Sequence, residues 1–126
     1  MDGYAKITDF GLSKENIQGN SEATSFCGTP EYLAPETLNR TGHGKAADWW
    51  SYGAIIYEMV FGIPPFYTKN RTKLYDNIKN KELEIPPGMT ADLNDLISRL
   101  LVKDPSQRLG SSENDALEIM NHQWFS

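Results

Sequence analysis

A mainly α-helical domain entered through one short β-strand is the fold the sequence predicts, and three stretches carry that expectation. Residues 48–61 hold the densest apolar run of the chain, closed by Gly62 and Pro64-Pro65. Residues 90–101 place Leu93, Leu96, Ile97, Leu100 and Leu101 at i, i+3, i+4, i+7 and i+8, the one-sided stripe of a helix lying on a core. Tyr4-Ala5-Lys6-Ile7-Thr8, after the turn pair Asp2-Gly3, is rich in β-formers and reads as a strand leading into Asp9.

In chain order, that strand reads as the second arm of a hairpin whose first arm would precede Asp2, leaving it without its natural neighbour. Residues 13–26 are Ser, Lys, Glu, Asn, Gly and Thr with little apolar periodicity, an exposed loop. Pro35 suits the first turn of a short helix through Leu38, and residues 39–44 break it. The run 48–61 spreads Trp49, Trp50, Ala54, Ile55, Ile56, Tyr57, Met59 and Val60 around nearly the whole helical circumference, so this helix is expected in the middle of the domain, with Asp48 at its positive end. Asn70 caps a shorter surface helix carrying Leu74, Tyr75 and Ile78, ended by Lys79 to Lys81 and Pro86-Pro87-Gly88. Thr90 starts the amphipathic helix, Lys103-Asp104-Pro105 closes it, and residues 114–120 form a last short helix with Trp124-Phe125 folding back.

With 126 residues, 39% of them hydrophobic, the chain supports one core rather than two. A net charge of −5 disfavours a sequence-independent grip on nucleic acid or an anionic membrane and suits basic partners. No apolar run is long enough to span a bilayer, and Met1-Asp2-Gly3-Tyr4 lacks the basic and apolar regions of a signal peptide. Cys27 is the one cysteine, so an internal disulfide is excluded and a cytoplasmic or nuclear setting is expected. His43, His122 and Cys27 form no metal-binding pattern; Cys27 is expected to pack as a small residue.

Two motifs frame the polar loop: Asp9-Phe10-Gly11 after the strand, and Ala34-Pro35-Glu36 after the loop. In that order they are a protein-kinase signature. From about Gly3 to Phe125 the chain resembles the C-terminal lobe of a eukaryotic Ser/Thr protein kinase, making residues 1–126 a partial kinase domain from the last β-hairpin to the final helix. Residues 25–36 (Ser-Phe-Cys-Gly-Thr-Pro-Glu-Tyr-Leu-Ala-Pro-Glu), Asp48-Trp49-Trp50-Ser51-Tyr52-Gly53 and Gln107-Arg108-Leu109-Gly110 resemble the AGC group, nearest to the protein kinase B, SGK and ribosomal S6 kinase branch.

The resemblance implies roles at matching positions. Asp9 matches the carboxylate that coordinates Mg2+ on the phosphates of ATP, a hard oxygen ligand for a hard cation. Ser25 matches the activation-loop phosphorylation site, with Thr24 as the neighbouring alternative and Lys14 as a lysine that helps bind the phosphate. Thr29 matches the threonine that hydrogen-bonds the catalytic Asp and Lys of the catalytic loop. Phe26, Pro30 and Leu33 match the apolar pocket for the residue after the phosphoacceptor. Glu58 matches the acid that pairs with an arginine before the acceptor in basophilic members. Glu36 and Arg108 match a buried ion pair anchoring the activation segment, and Asp48 matches the residue that accepts hydrogen bonds from the catalytic loop's backbone.

The function these matches imply is ATP-dependent phosphoryl transfer to Ser or Thr of protein substrates with basic residues before the acceptor, switched on by an upstream kinase. The glycine-rich loop, strand lysine, helix glutamate and catalytic-loop Asp and Asn that this chemistry needs do not occur in the 126 residues, so the chain alone is expected to be inactive. The alternative is a non-catalytic truncated module that binds substrates or regulators.

Overall fold

The computed structural model describes residues 30–39 and 44–126, which form helices and turns with no strand among them. The expected strand before Asp9 lies outside the described residues. A 3₁₀ turn at Pro30–Tyr32 leads into α1 (Pro35–Leu38), followed by α2 (Lys45–Phe61), α3 (Arg71–Asn80) and α4 (Ala91–Leu100). A second 3₁₀ turn, Pro105–Gln107, then precedes α5 (Ala116–Met120) and a last turn at Gln123–Phe125.

Helix α2 is the axis of this arrangement. It begins at Lys45, one turn before the expected start, with Gly44 as its extended cap residue. Ala46 and Ala47 are strong helix formers and both are buried, so core packing extends the helix backwards past Asp48. Asp48 therefore stands within the first turn, still near the positive end of the dipole. The helix stops where Gly62 donates its N–H to the Glu58 carbonyl at 2.8 Å.

Trp50, Ala54 and Tyr57 of α2 enter one core cluster with Leu93, Ile97 and Leu101 from α4 and its exit, and with Leu74 and Ile78 of α3. Leu96, Leu100 and Ile119 form a second cluster, with Trp49, Tyr52, Ile56 and Leu109 against it. The two long helices meet closely at Gly53, where an added Cβ would lie 2.7 Å from the Leu100 Cβ. That contact explains a glycine inside a helix, a position that otherwise costs about 1 kcal/mol relative to alanine.

The apolar circumference of α2 does not translate into complete burial. Asp48, Ile55 and Met59 share one face, and Ile55 and Met59 are 45% and 79% exposed. The helix packs into both core clusters and leaves this one face uncovered among the described residues.

Caps secure the two amphipathic helices. The Asn70 side chain accepts from the Lys73 N–H at 3.0 Å, and the Thr90 hydroxyl from the Leu93 N–H at 3.2 Å. Leu74 and Ile78 are the buried residues of α3, and the remaining residues of that helix are exposed or intermediate. All five stripe residues from Leu93 to Leu101 are buried. Thr90→Ala is expected to cost about 1 kcal/mol, seen as a lower urea midpoint at unchanged m-value, with Thr90→Ser restoring most of it.

The final segment differs in detail from the expected helix 114–120. Residue Asp115 takes a left-handed φ of 46° and accepts from Trp49 Nε1 at 2.7 Å, so α5 starts only at Ala116. The last turn is tied back by His122. Its Nδ1 accepts the Trp124 N–H at 3.0 Å and its Nε2 lies 2.7 Å from Asp95 Oδ2. Accepting at Nδ1 places the proton on Nε2, which donates to Asp95. That bond, more than the one from Arg99, holds the Asp95 carboxyl below its usual range. Trp124 and Phe125 pack edge to face on each other, 41% and 44% exposed, rather than entering the core.

Candidate functional site: a buried anchor and an acidic side chain on helix α2

Pro35 occupies the first turn of α1, where its missing N–H costs nothing, and the next residue, Glu36, points into the protein. Arg108 meets it from 72 residues away. Its Nη1 donates to Glu36 Oε2 at 2.8 Å and its Nη2 to Oε1 at 3.0 Å, the two-pronged fork that suits a carboxylate. The remaining donors go to backbone carbonyls: Nη1 to Ala46 at 2.8 Å, Nε to Val102 at 2.9 Å and Nη2 to Lys103 at 3.4 Å. All five guanidinium N–H groups are thereby used, as a cation 1% exposed requires.

The guanidinium carbon lies 5.1 Å from the centroid of the Trp50 ring, which is itself stacked on Phe66. Arg108 thus joins α1, the start of α2 and the exit of α4 in one knot. The loop carrying it is pressed onto Trp49: Gly110 has φ +92°, and a Cβ there would fall 2.5 Å from the indole ring. A side chain at residue 110 would meet both backbone strain and a clash.

The second feature lies further along α2. Tyr32, in the 3₁₀ turn, donates its hydroxyl to Glu58 Oε1. The hydrogen bond to Glu58, and then burial, push the Tyr32 hydroxyl up to about 12. Ser51 donates to the Tyr32 carbonyl at 2.8 Å, so the turn before α1 is fastened to α2 by backbone and side chain together. Glu58 is a partly buried carboxylate held in place by a neutral donor. Sequence reasoning missed Tyr32, because nothing in its spacing signals a partner 26 residues on.

Of the other expected site residues, Leu33 is buried, Pro30 is half-buried and Asp48 is exposed. Asp48 and Glu58 stand ten residues apart on α2, about 15 Å along its axis, so they serve different ends of the helix. Asp9, Lys14, Thr24, Ser25, Phe26 and Thr29 lie outside the described residues. Among the described residues there is no group of three or more His, Cys, Asp or Glu side chains that could hold a metal ion, and no helix long and apolar enough to cross a membrane.

The family model of the protein kinase domain matches residues 1–125. Serine/threonine-protein kinase Sgk1 of Xenopus tropicalis is 49% identical over 124 residues, which are 98% of this chain and 29% of that protein. The Sgk1 of Homo sapiens is 49% identical and that of Gallus gallus 50%, each over 98% of this chain and 28% of the relative. The chain spans less than a third of the length of these relatives.

Proposed function

The chain belongs to the protein kinase family, and on that premise we propose that it forms the substrate-facing lower part of a serine/threonine kinase catalytic domain. The observation that carries this is the Tyr32 to Glu58 hydrogen bond, made by the same short segment whose Glu36 pairs with Arg108. The anchor holds the segment after the activation loop against α2, and the same segment positions an acidic side chain on the surface where a basic substrate would lie.

In this reading the protein phosphorylates Ser or Thr in proteins that carry arginine before the acceptor, and Glu58 receives that arginine. Asp9 would hold Mg2+ on ATP, and the nucleotide and metal, when bound, would supply the transferable phosphoryl group and neutralise its charge. One carboxylate suits that ion but does not complete its shell. Ser25, or Thr24 beside it, takes the activating phosphate from an upstream kinase, and Lys14 helps to hold it. The 126 residues contain no glycine-rich phosphate loop and no catalytic-loop aspartate motif, so turnover by the chain alone is not expected. The setting is cytoplasmic or nuclear.

A chimera tests this, with the chain replacing the matching 124 residues of Xenopus tropicalis Sgk1. The chimera is expected to phosphorylate Ser/Thr peptides and to select arginine before the acceptor. Glu58→Gln should lower kcat/KM about 10- to 150-fold for arginine-bearing peptides and leave peptides without arginine unaffected, since a hydrogen-bonded charge contributes about 1.5 to 3 kcal/mol. Unchanged arginine selection in Glu58→Gln removes the assignment.

A further inference from the structure

The imidazole of His122, 8% exposed, joins two elements through its two nitrogens. Nε2 lies 2.7 Å from Asp95 Oδ2 on α4, and Nδ1 accepts the Trp124 N–H at 3.0 Å, capping the turn Gln123–Phe125. Only the neutral ring with its proton on Nε2 can do both, because an imidazolium donates at both nitrogens. Asp95 Oδ2 also accepts from Arg99 Nε at 2.8 Å, and these bonds, chiefly the one from His122, hold its carboxyl below the usual range. Asp95 therefore stays ionised across the pH range in which a histidine changes charge. Asp92, Asp95 and Arg99 stand at i, i+3 and i+7 on α4, so the face beside the ring carries more acid than base. On α5, Glu118 lies four residues before His122 and accepts from the Ser112 hydroxyl. The turn itself is slight. Besides the imidazole it is closed by the Phe125 N–H on the His122 carbonyl at 3.0 Å, and Trp124 and Phe125 are both exposed.

We propose that His122 is a proton-operated latch on the last turn: a proton bound at Nδ1 displaces the Trp124 N–H and frees Gln123–Phe125, while Nε2 stays on Asp95. A solvent proton and the Trp124 N–H compete for the one lone pair of Nδ1. When the proton takes it, the ring N–H and the Trp124 N–H face each other as two donors, and one of them must move. No other bond to the ring is made or broken. Nε2 keeps its proton, and its hydrogen bond to Asp95 becomes one between opposite charges, so the ring stays on α4 and the turn moves. The closed turn requires the neutral ring, so its stability is present at high pH and is lost as pH falls through the imidazole titration. With the turn open, Trp124 and Phe125 leave their present place beside α4.

Amide hydrogen exchange of the isotope-labelled chain, read by NMR between pH 7.5 and pH 5 and corrected for the intrinsic pH dependence of exchange, tests the latch. Protection of the Trp124 amide is expected to fall about two- to tenfold, the range for loss of one hydrogen bond, with the same midpoint as the His122 ring-proton shifts. Asp95→Asn should move that midpoint down by roughly one pH unit, since the opposite charge that favours the imidazolium is gone. His122→Asn, whose side-chain oxygen can still cap the turn but does not titrate, should keep the Trp124 amide protected at every pH. Four results overturn the proposal: a Trp124 amide unprotected at pH 7.5, protection that ignores the His122 titration, a midpoint unmoved in Asp95→Asn, or the same loss of protection in His122→Asn.

Discussion

Arg108→Ala is expected to destabilise the chain by about 3 to 5 kcal/mol, which can unfold a domain of this size outright. The loss is not the strength of an ion pair alone. Removing the guanidinium leaves the Glu36 carboxylate, 9% exposed, without its bidentate partner. It also takes the donor from the Ala46, Val102 and Lys103 carbonyls. Arg108→Lys should recover only a small part, since one ammonium cannot span two carboxylate oxygens and three carbonyls or lie flat on Trp50. Urea unfolding followed by far-UV circular dichroism reads the effect. Arg108→Met together with Glu36→Leu should be markedly less damaging than Arg108→Ala, because no buried charge then remains. If Arg108→Ala lowers stability by less than about 1 kcal/mol, the pair is not the anchor described above.

Trp50→Ala is expected to cost about 3 to 5 kcal/mol for a different reason: it opens a large cavity in the core. Trp50 is 1% exposed, stacked on Phe66, and carries Arg108 and Lys103 against its ring. The two substitutions should therefore be non-additive. A double-mutant cycle between Trp50→Ala and Arg108→Met should give a coupling of about 0.5 to 2 kcal/mol, the range of a cation held on a buried aromatic face. Coupling near zero would mean that the guanidinium and the indole are neighbours without being partners.

Local chemistry made several elements legible. The stripe of α4 is one side of a helix in the sequence and one buried side in the structure. Asn70 and Thr90 cap because a side-chain oxygen at that position can reach an unsatisfied N–H three residues on, a rule that needs no tertiary contact. Legibility failed where long-range packing competes with propensity. The start of α2 moves to Lys45 because Ala46 and Ala47 are buried, and α5 is shortened because Asp115 turns toward Trp49, 66 residues away in sequence. Ile55 and Met59 are as apolar as their buried neighbours on α2, so their exposure could not be read from composition.

The site divides along the same line. Motif order and resemblance named Glu36, Arg108 and Glu58, and the family follows from the match over residues 1–125. The sequence by itself determined the helices with strong periodicity, their caps and the kinase family. Only the tertiary structure decided that Arg108 uses every donor it has, that Tyr32 holds Glu58, and that Lys103 stands on aromatic rings. The physical reason is that capping and periodicity act within a few residues, while desolvation, pairing and aromatic contact depend on which distant residues the fold brings together.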